Sequence, residues 1–206
     1  MKEIEIIKPD DWHVHFRDNE LMKAVVPETT RNFTRAIVMP NVIPPILTGN
    51  DALQYKKRIE KAIPKYNNFQ PLMTIYLTEN TSAKDLIESF KKKKIFAAKL
   101  YPAGATTNSE SGVKNIDKIF PLLEQMAEIN MPLLIHGEVT DPNIDIFDRE
   151  EVFIDTVLDP THKKIPNLKI TLEHITTKYA VDYIENSKSN IAASITPHHL
   201  ILNRNA

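Results

Sequence analysis

Asp11-Trp12-His13-Val14-His15-Phe16-Arg17-Asp18 is the stretch from which the rest of this 206-residue chain can be read. Extended backbone sends successive side chains to opposite faces, so a strand over 12–17 predicts that His13, His15 and Arg17 point the same way. Two imidazoles about 7 Å apart on one strand face can converge on a single metal ion. An arginine one step further can hold an anion beside that ion. Taken alone, the pattern is more simply a strand with exposed or internally satisfied histidines, so the surrounding chain has to decide. An apolar-tending run, Ile4 to Ile7, leads into the stretch, and Pro27 is expected to close the segment after it.

Working outward, short apolar runs alternate with helix-like segments. After a helical or irregular passage over 20–33, the runs fall at 35–41, 71–78, 95–101, 131–136, 168–175 and 191–196. Helices are expected over 50–63, 83–93, 115–129, 147–158 and 178–186, with Asn50 or Asp51 capping the first and Thr81 or Ser82 the second. Strand centres about 25 to 40 residues apart are the spacing of βα units with parallel strands. Seven such units predict an α/β fold, a (β/α)8 barrel of the TIM type that is incomplete because its last strand is missing. The alternative is an open doubly wound sheet, which fits less well because no Gly-rich phosphate loop is present and the chain has only four glycines.

Composition narrows the function classes. With 42% hydrophobic residues the chain can bury a sizeable core. A net charge of −1, from 26 basic and 27 acidic residues, favours neither a nucleic acid nor an anionic membrane as partner. The lysine run Lys91 to Lys94 falls at the negative end of a helix dipole and reads as a solvated helix end. Cysteine is absent, which removes disulfides, thiolate metal sites and a cysteine nucleophile. No run reaches the roughly 18 apolar residues of a membrane span, so a cytoplasmic protein is expected.

In a barrel, reactive groups come from the C-terminal ends of several strands. His13 and His15 end the first run, Lys99 lies near the end of the fourth, His136 ends the fifth and His174 the sixth. Four of the seven histidines thus fall where a barrel places a site, a pattern that favours a metal centre. Lys99, inside Phe96-Ala97-Ala98-Lys99-Leu100-Tyr101, is costly to bury as an unpaired ammonium. Burial lowers a lysine pKa and exposes an amine able to take up carbon dioxide as a carbamate. A lysine that snorkels to water or pairs with a carboxylate is the competing reading.

These residues carry a resemblance. Asp11 to Asp18, Ala36-Ile37-Val38-Met39-Pro40-Asn41, Ala98-Lys99-Leu100-Tyr101-Pro102-Ala103, Pro132 to Glu138 and Glu173-His174-Ile175-Thr176 resemble dihydroorotase of the bacterial single-enzyme type, within the amidohydrolase superfamily. Phe147-Asp148-Arg149-Glu150 and Asn203-Arg204-Asn205 extend the likeness, in order, from about residue 8 to the end. The resemblance implies a metal-dependent hydrolase barrel over 1–206 and two zinc ions per subunit, with His13 and His15 on one and His136 and His174 on the other. A carboxylated Lys99 would bridge the two ions. It further implies that Arg17 and Asn41 grip the substrate carboxylate, and that Thr106 and Thr107 belong to a mobile loop that closes on substrate. The implied reaction is the reversible cyclisation of N-carbamoyl-L-aspartate to L-dihydroorotate in pyrimidine biosynthesis, and a homodimer is among the family's usual states.

One departure stands against it. The family pattern places an aspartate, ligand and proton carrier, at the end of an eighth strand, and no residue up to Ala206 matches it. Asp11 and Asp18 flank the histidines but match other positions. The expectation is therefore a catalytic aspartate beyond Ala206, and a 1–206 segment that is unstable or inactive alone. A hydantoinase-like cyclic-amide hydrolase and a non-catalytic scaffold homologue are the alternatives. Arg17 with Asn41 suits an acidic substrate and disfavours the first, while five intact ligand positions disfavour the second.

Overall fold

A computed structural model describes residues 3–187, 190–203 and 205. Each expected apolar run contains a strand: β1 Asp11–Val14, β2 Arg35–Val38, β3 Gln70–Tyr76, β4 Ala97–Leu100, β5 Leu133–His136, β6 Ile170–Glu173 and β7 Ile191–Ala193. All neighbours pair in parallel, in the order β1 to β7 without a reversal. A doubly wound sheet needs a reversal of strand order at its switch point, so that alternative drops out. The curled seven-stranded sheet is an incomplete (β/α)8 barrel.

The connections are helical. α1 spans Asn19–Asn32, α2 Gly49–Ala62, α3 Ala83–Lys91 and α4 Phe120–Glu128, the last preceded by a 3-10 turn at Ile116–Ile119. α5, Arg149–Phe153, runs through a wider π turn at Ile154–Leu158 into α6, Asp159–Lys164; α7 is Lys178–Asn186 and α8 Pro197–Ile201. Ile59, Leu86, Leu123, Met126 and Leu168 join Ile75, Ala98, Leu133 and Leu172 in the main core. A smaller cluster, Ile37, Met39, Ala97 and Leu134, lies apart from it. Ala97 and Leu134 each stand two residues before Lys99 and His136, so by strand alternation this cluster is the floor beneath the polar groups. Among the described residues no helix is long and apolar enough to cross a membrane.

Several local expectations need correction. The first strand stops at Val14, and Ile4, Ile6 and Ile7 are exposed outside any strand. Pro27 lies inside α1, where burial of Met22, Val26 and Thr30 on one face outweighs the lost N–H. α2 is capped by Thr48 rather than Asn50 or Asp51: Thr48 Oγ1 accepts from the Asp51 N–H at 3.1 Å, and the Asp51 carboxylate accepts from the Thr48 N–H at 3.0 Å. Asp18, read only as a flank of the histidines, caps α1 and pairs with Arg58 at 2.8 Å. Arg204, within the motif Asn203-Arg204-Asn205, lies outside the described residues, as does Ala206.

Candidate metal centre

His15, His13, His174 and His136 form a continuous row, with successive ring centroids 5.0, 5.1 and 4.8 Å apart. The row crosses the sheet interior from β1 to β6 and β5, at the C-terminal ends of the strands. His13 Nε2 and His15 Nε2 are 3.1 Å apart. That is close to the roughly 3.3 Å edge of a tetrahedron whose metal–nitrogen bonds are about 2.0–2.1 Å, so this pair fits a shared cation. Burial, followed by the neighbouring cations, pushes His15 down to about 3 and His174 down to about 2, so both are neutral and keep a lone pair at neutral pH. His136 Nε2 instead meets Glu138 at 3.0 Å, and Arg149 holds the other Glu138 oxygen at 3.3 Å. Among the described residues no three His, Asp or Glu side chains already close on one point, so the centre is a convergence of donors and not a finished cage.

Two residues are turned in by left-handed backbone. His174 has φ +46°, and with it consecutive side chains, Glu173 and His174, both serve the interior. Arg17 has φ +57°, which ends the strict alternation on which its alignment with His13 and His15 was expected to depend. Its carbonyl accepts from the Tyr55 hydroxyl at 2.6 Å, and its buried Nη1 has no hydrogen-bond partner among the described residues. A buried guanidinium nitrogen without a partner is costly, and an anion would satisfy it.

Lys99 is fully buried, and its ammonium contacts the equally buried Glu173 carboxylate. Of the two forms of the competing reading, snorkelling is excluded and the carboxylate pair is present. Burial lowers the Lys99 pKa, only partly opposed by Glu173. Burial alone would raise Glu173, yet the charge of Lys99 and the His13 contact outweigh it and hold it at about 2. Glu173 was not singled out from sequence. Nor were Tyr101, His198 and His199, which line the same cavity of about 690 Å³ with the four histidines and Thr106. The buried Tyr101 hydroxyl has no hydrogen-bond partner among the described residues.

Asn41 and the 104–109 loop are tied together. Asn41 donates to the Thr107 carbonyl at 2.8 Å, and Asn108 donates back to the Asn41 carbonyl at 3.0 Å. Thr106 faces the cavity, whereas Thr107 meets Asn41 through its backbone carbonyl. Replacing Asn41 with alanine is therefore expected to speed amide hydrogen exchange over residues 104–109 by about fivefold, for about 1 kcal/mol of lost anchoring. Unchanged exchange there would separate Asn41 from the loop. The motif Phe147-Asp148-Arg149-Glu150 also resolves into support: Glu150 accepts from the Thr177 N–H at 2.9 Å and hydroxyl at 2.6 Å, bracing the turn after His174.

Fold and site together describe a parallel α/β barrel architecture with a histidine-rich centre at the C-terminal strand ends. The chain belongs to the Amidohydrolase family, whose model matches residues 6–205. Within it, the chain is similar to a curated dihydroorotase of Rhizobium rhizogenes, 56% identical over all 206 residues, and spans 60% of that relative's length. The solved dihydroorotase of Campylobacter jejuni superposes with a TM-score of 0.87 at 42% identity, covering 95% of this chain and 56% of that one. A dihydroorotase of Saccharomyces cerevisiae in complex with 5-fluoroorotic acid gives 0.86 at 34% identity, covering 96% and 58%. The family is generally metal-dependent.

Proposed function

We propose that this chain carries the metal-binding part of a dihydroorotase centre, acting in the cytoplasm in the reversible cyclisation of N-carbamoyl-L-aspartate to L-dihydroorotate. The observation that carries the reading is the row of four imidazoles beside a fully buried Lys99. His13 and His15 would hold one zinc ion, His136 and His174 a second, and Lys99, carboxylated, would join them. Bound zinc supplies Lewis-acid activation of water and of the scissile amide.

The chain's own residues do the rest. Burial keeps His15 and His174 unprotonated, so their lone pairs remain available at neutral pH. A depressed Lys99 pKa favours the neutral amine that combines with carbon dioxide, releasing a proton as the carbamate forms. Arg17 Nη1 is the free donor for a substrate carboxylate, and Asn41 positions the loop bearing Thr106 over the cavity. The 5-fluoroorotic acid of the yeast relative, an acidic ring compound, supports this polarity. A cavity of about 690 Å³ accommodates a ligand of that size. No proton carrier for the ring nitrogen is assigned within the chain.

The test is calorimetric. The zinc-loaded chain is expected to hold about two zinc ions and to bind L-dihydroorotate in preference to an uncharged hydantoin. Arg17→Met is expected to weaken dihydroorotate about 10- to 100-fold, the worth of one charge-assisted hydrogen bond, and to leave hydantoin binding unchanged. Equal affinity for both ligands would overturn the acidic-substrate reading.

A further inference from the structure

We propose that Glu173 is a positioning residue of this centre: its carboxylate fixes the His13 ring through Nδ1 while anchoring the Lys99 amine with its other oxygen. The proposal rests on the metal-centre reading above. Glu173 ends β6, in register with His136 on β5. One of its oxygens, Oε1, lies 3.0 Å from His13 Nδ1, and the other accepts from Lys99 Nζ. A single buried carboxylate therefore reaches from β6 to β1 and β4, linking two candidate ligands contributed by different strands.

An imidazole offers a cation only the nitrogen that lacks the proton. A carboxylate on Nδ1 keeps the proton there, leaves the lone pair on Nε2 and makes the ring more basic toward a cation. His13 Nε2 is the atom that faces His15 Nε2 at 3.1 Å. With His13 protonated on Nδ1, its Nε2 accepts, and His15 Nε2 is the donor in the metal-free chain. For both Nε2 lone pairs to face a cation, His15 would shift its proton from Nε2 to Nδ1, while His13 already holds its own on Nδ1.

The Nδ1 contact is short but out of line, so Nδ1 has the distance of a hydrogen bond without its angle. Hydrogen bonds at such centres are often poorly aligned in ligand-free chains and tighten when a ligand arrives. Neutralising Lys99 alone accounts for Oε2 and leaves the approach of Oε1 to His13 unexplained. The two roles differ in what they require of the His13 proton.

Nitrogen-15 NMR of the metal-free wild-type chain reads that proton directly. The expected result is His13 protonated on Nδ1 and bare on Nε2; the opposite tautomer overturns the proposal. Chelator competition then compares wild type with Glu173→Gln, which keeps the side-chain shape. The expected loss of zinc affinity is about 10- to 100-fold, the usual effect of removing a carboxylate behind a histidine ligand. Unchanged affinity in a folded variant also overturns it, and if the variant fails to fold, the wild-type tautomer decides. Zinc bound equally by both proteins sinks the role of Glu173 alone, whereas a wild-type chain that binds no zinc sinks the metal-centre reading and this proposal with it.

Discussion

Replacing Lys99 with methionine is expected to destabilise the metal-free, uncarboxylated chain by about 3–5 kcal/mol, the usual cost of removing one partner from a buried ion pair. Methionine fills nearly the same volume, so the loss does not come from a cavity. It comes from Glu173, 1% exposed, whose carboxylate would lose its strongest positive neighbour. Against a total stability of about 5–15 kcal/mol for a domain, that loss removes a large fraction. The double replacement Lys99→Met with Glu173→Gln is expected to recover most of it, because no buried charge is then left unpaired. Urea denaturation of the two variants and wild type measures both effects. A single-variant loss under about 1 kcal/mol would show that Glu173 does not depend on Lys99.

Acid is expected to unfold the metal-free chain well above the range in which carboxylates titrate. His15 and His174 sit at about 3 and about 2 in the folded chain, below an ordinary histidine. Below about pH 6.5 the unfolded chain therefore binds protons that the folded chain refuses, and stability falls as pH falls. Each such histidine costs about 1.4 kcal/mol per pH unit, so the two together cost roughly 3 kcal/mol per unit until the folded values are approached. Glu173 has the opposite origin and a later window. Held at about 2, it contributes fully above the ordinary carboxylate range and is lost only below about 4.5. Circular dichroism during acidification should show unfolding under way between pH 6 and 5, and replacing His15 and His174 with glutamine should move it toward the carboxylate range. An acid transition that stays in place in that double variant would rule out the imidazoles as its cause.

The strands were legible because each is a compact apolar run, and the parallel order followed from helical stretches between them. His13, His15, Lys99, His136 and His174 were legible for the same reason: a barrel puts its reactive groups at strand ends, and these residues end the runs. Glu173 was not. Strand alternation sends Glu173 and His174 to opposite faces, and only the left-handed backbone at His174 lets both serve the interior. Nothing in the identity of a histidine announces φ +46°. Arg17 shows the converse, since its expected alignment assumed an extended backbone that its φ of +57° interrupts. Asn41 was legible only through the family resemblance, and its bond to the Thr107 carbonyl, 66 positions away, depends on tertiary packing.

The described sheet has two unlike edges. Among the described residues, β1 and β7 each have a strand neighbour on one side only, and the two free edges are different surfaces. Trp12, 57% exposed, lies on the first edge, and Ile195, 53% exposed, follows the second. If the β1 edge of one copy continued the β7 edge of another in parallel, the contact would join unlike surfaces and leave the same pair of edges free at either end. Such contact is heterologous, without a two-fold axis, and closes into a ring or runs on as a filament according to its rotation. A strand that paired with both β1 and β7 would remove the two edges at once.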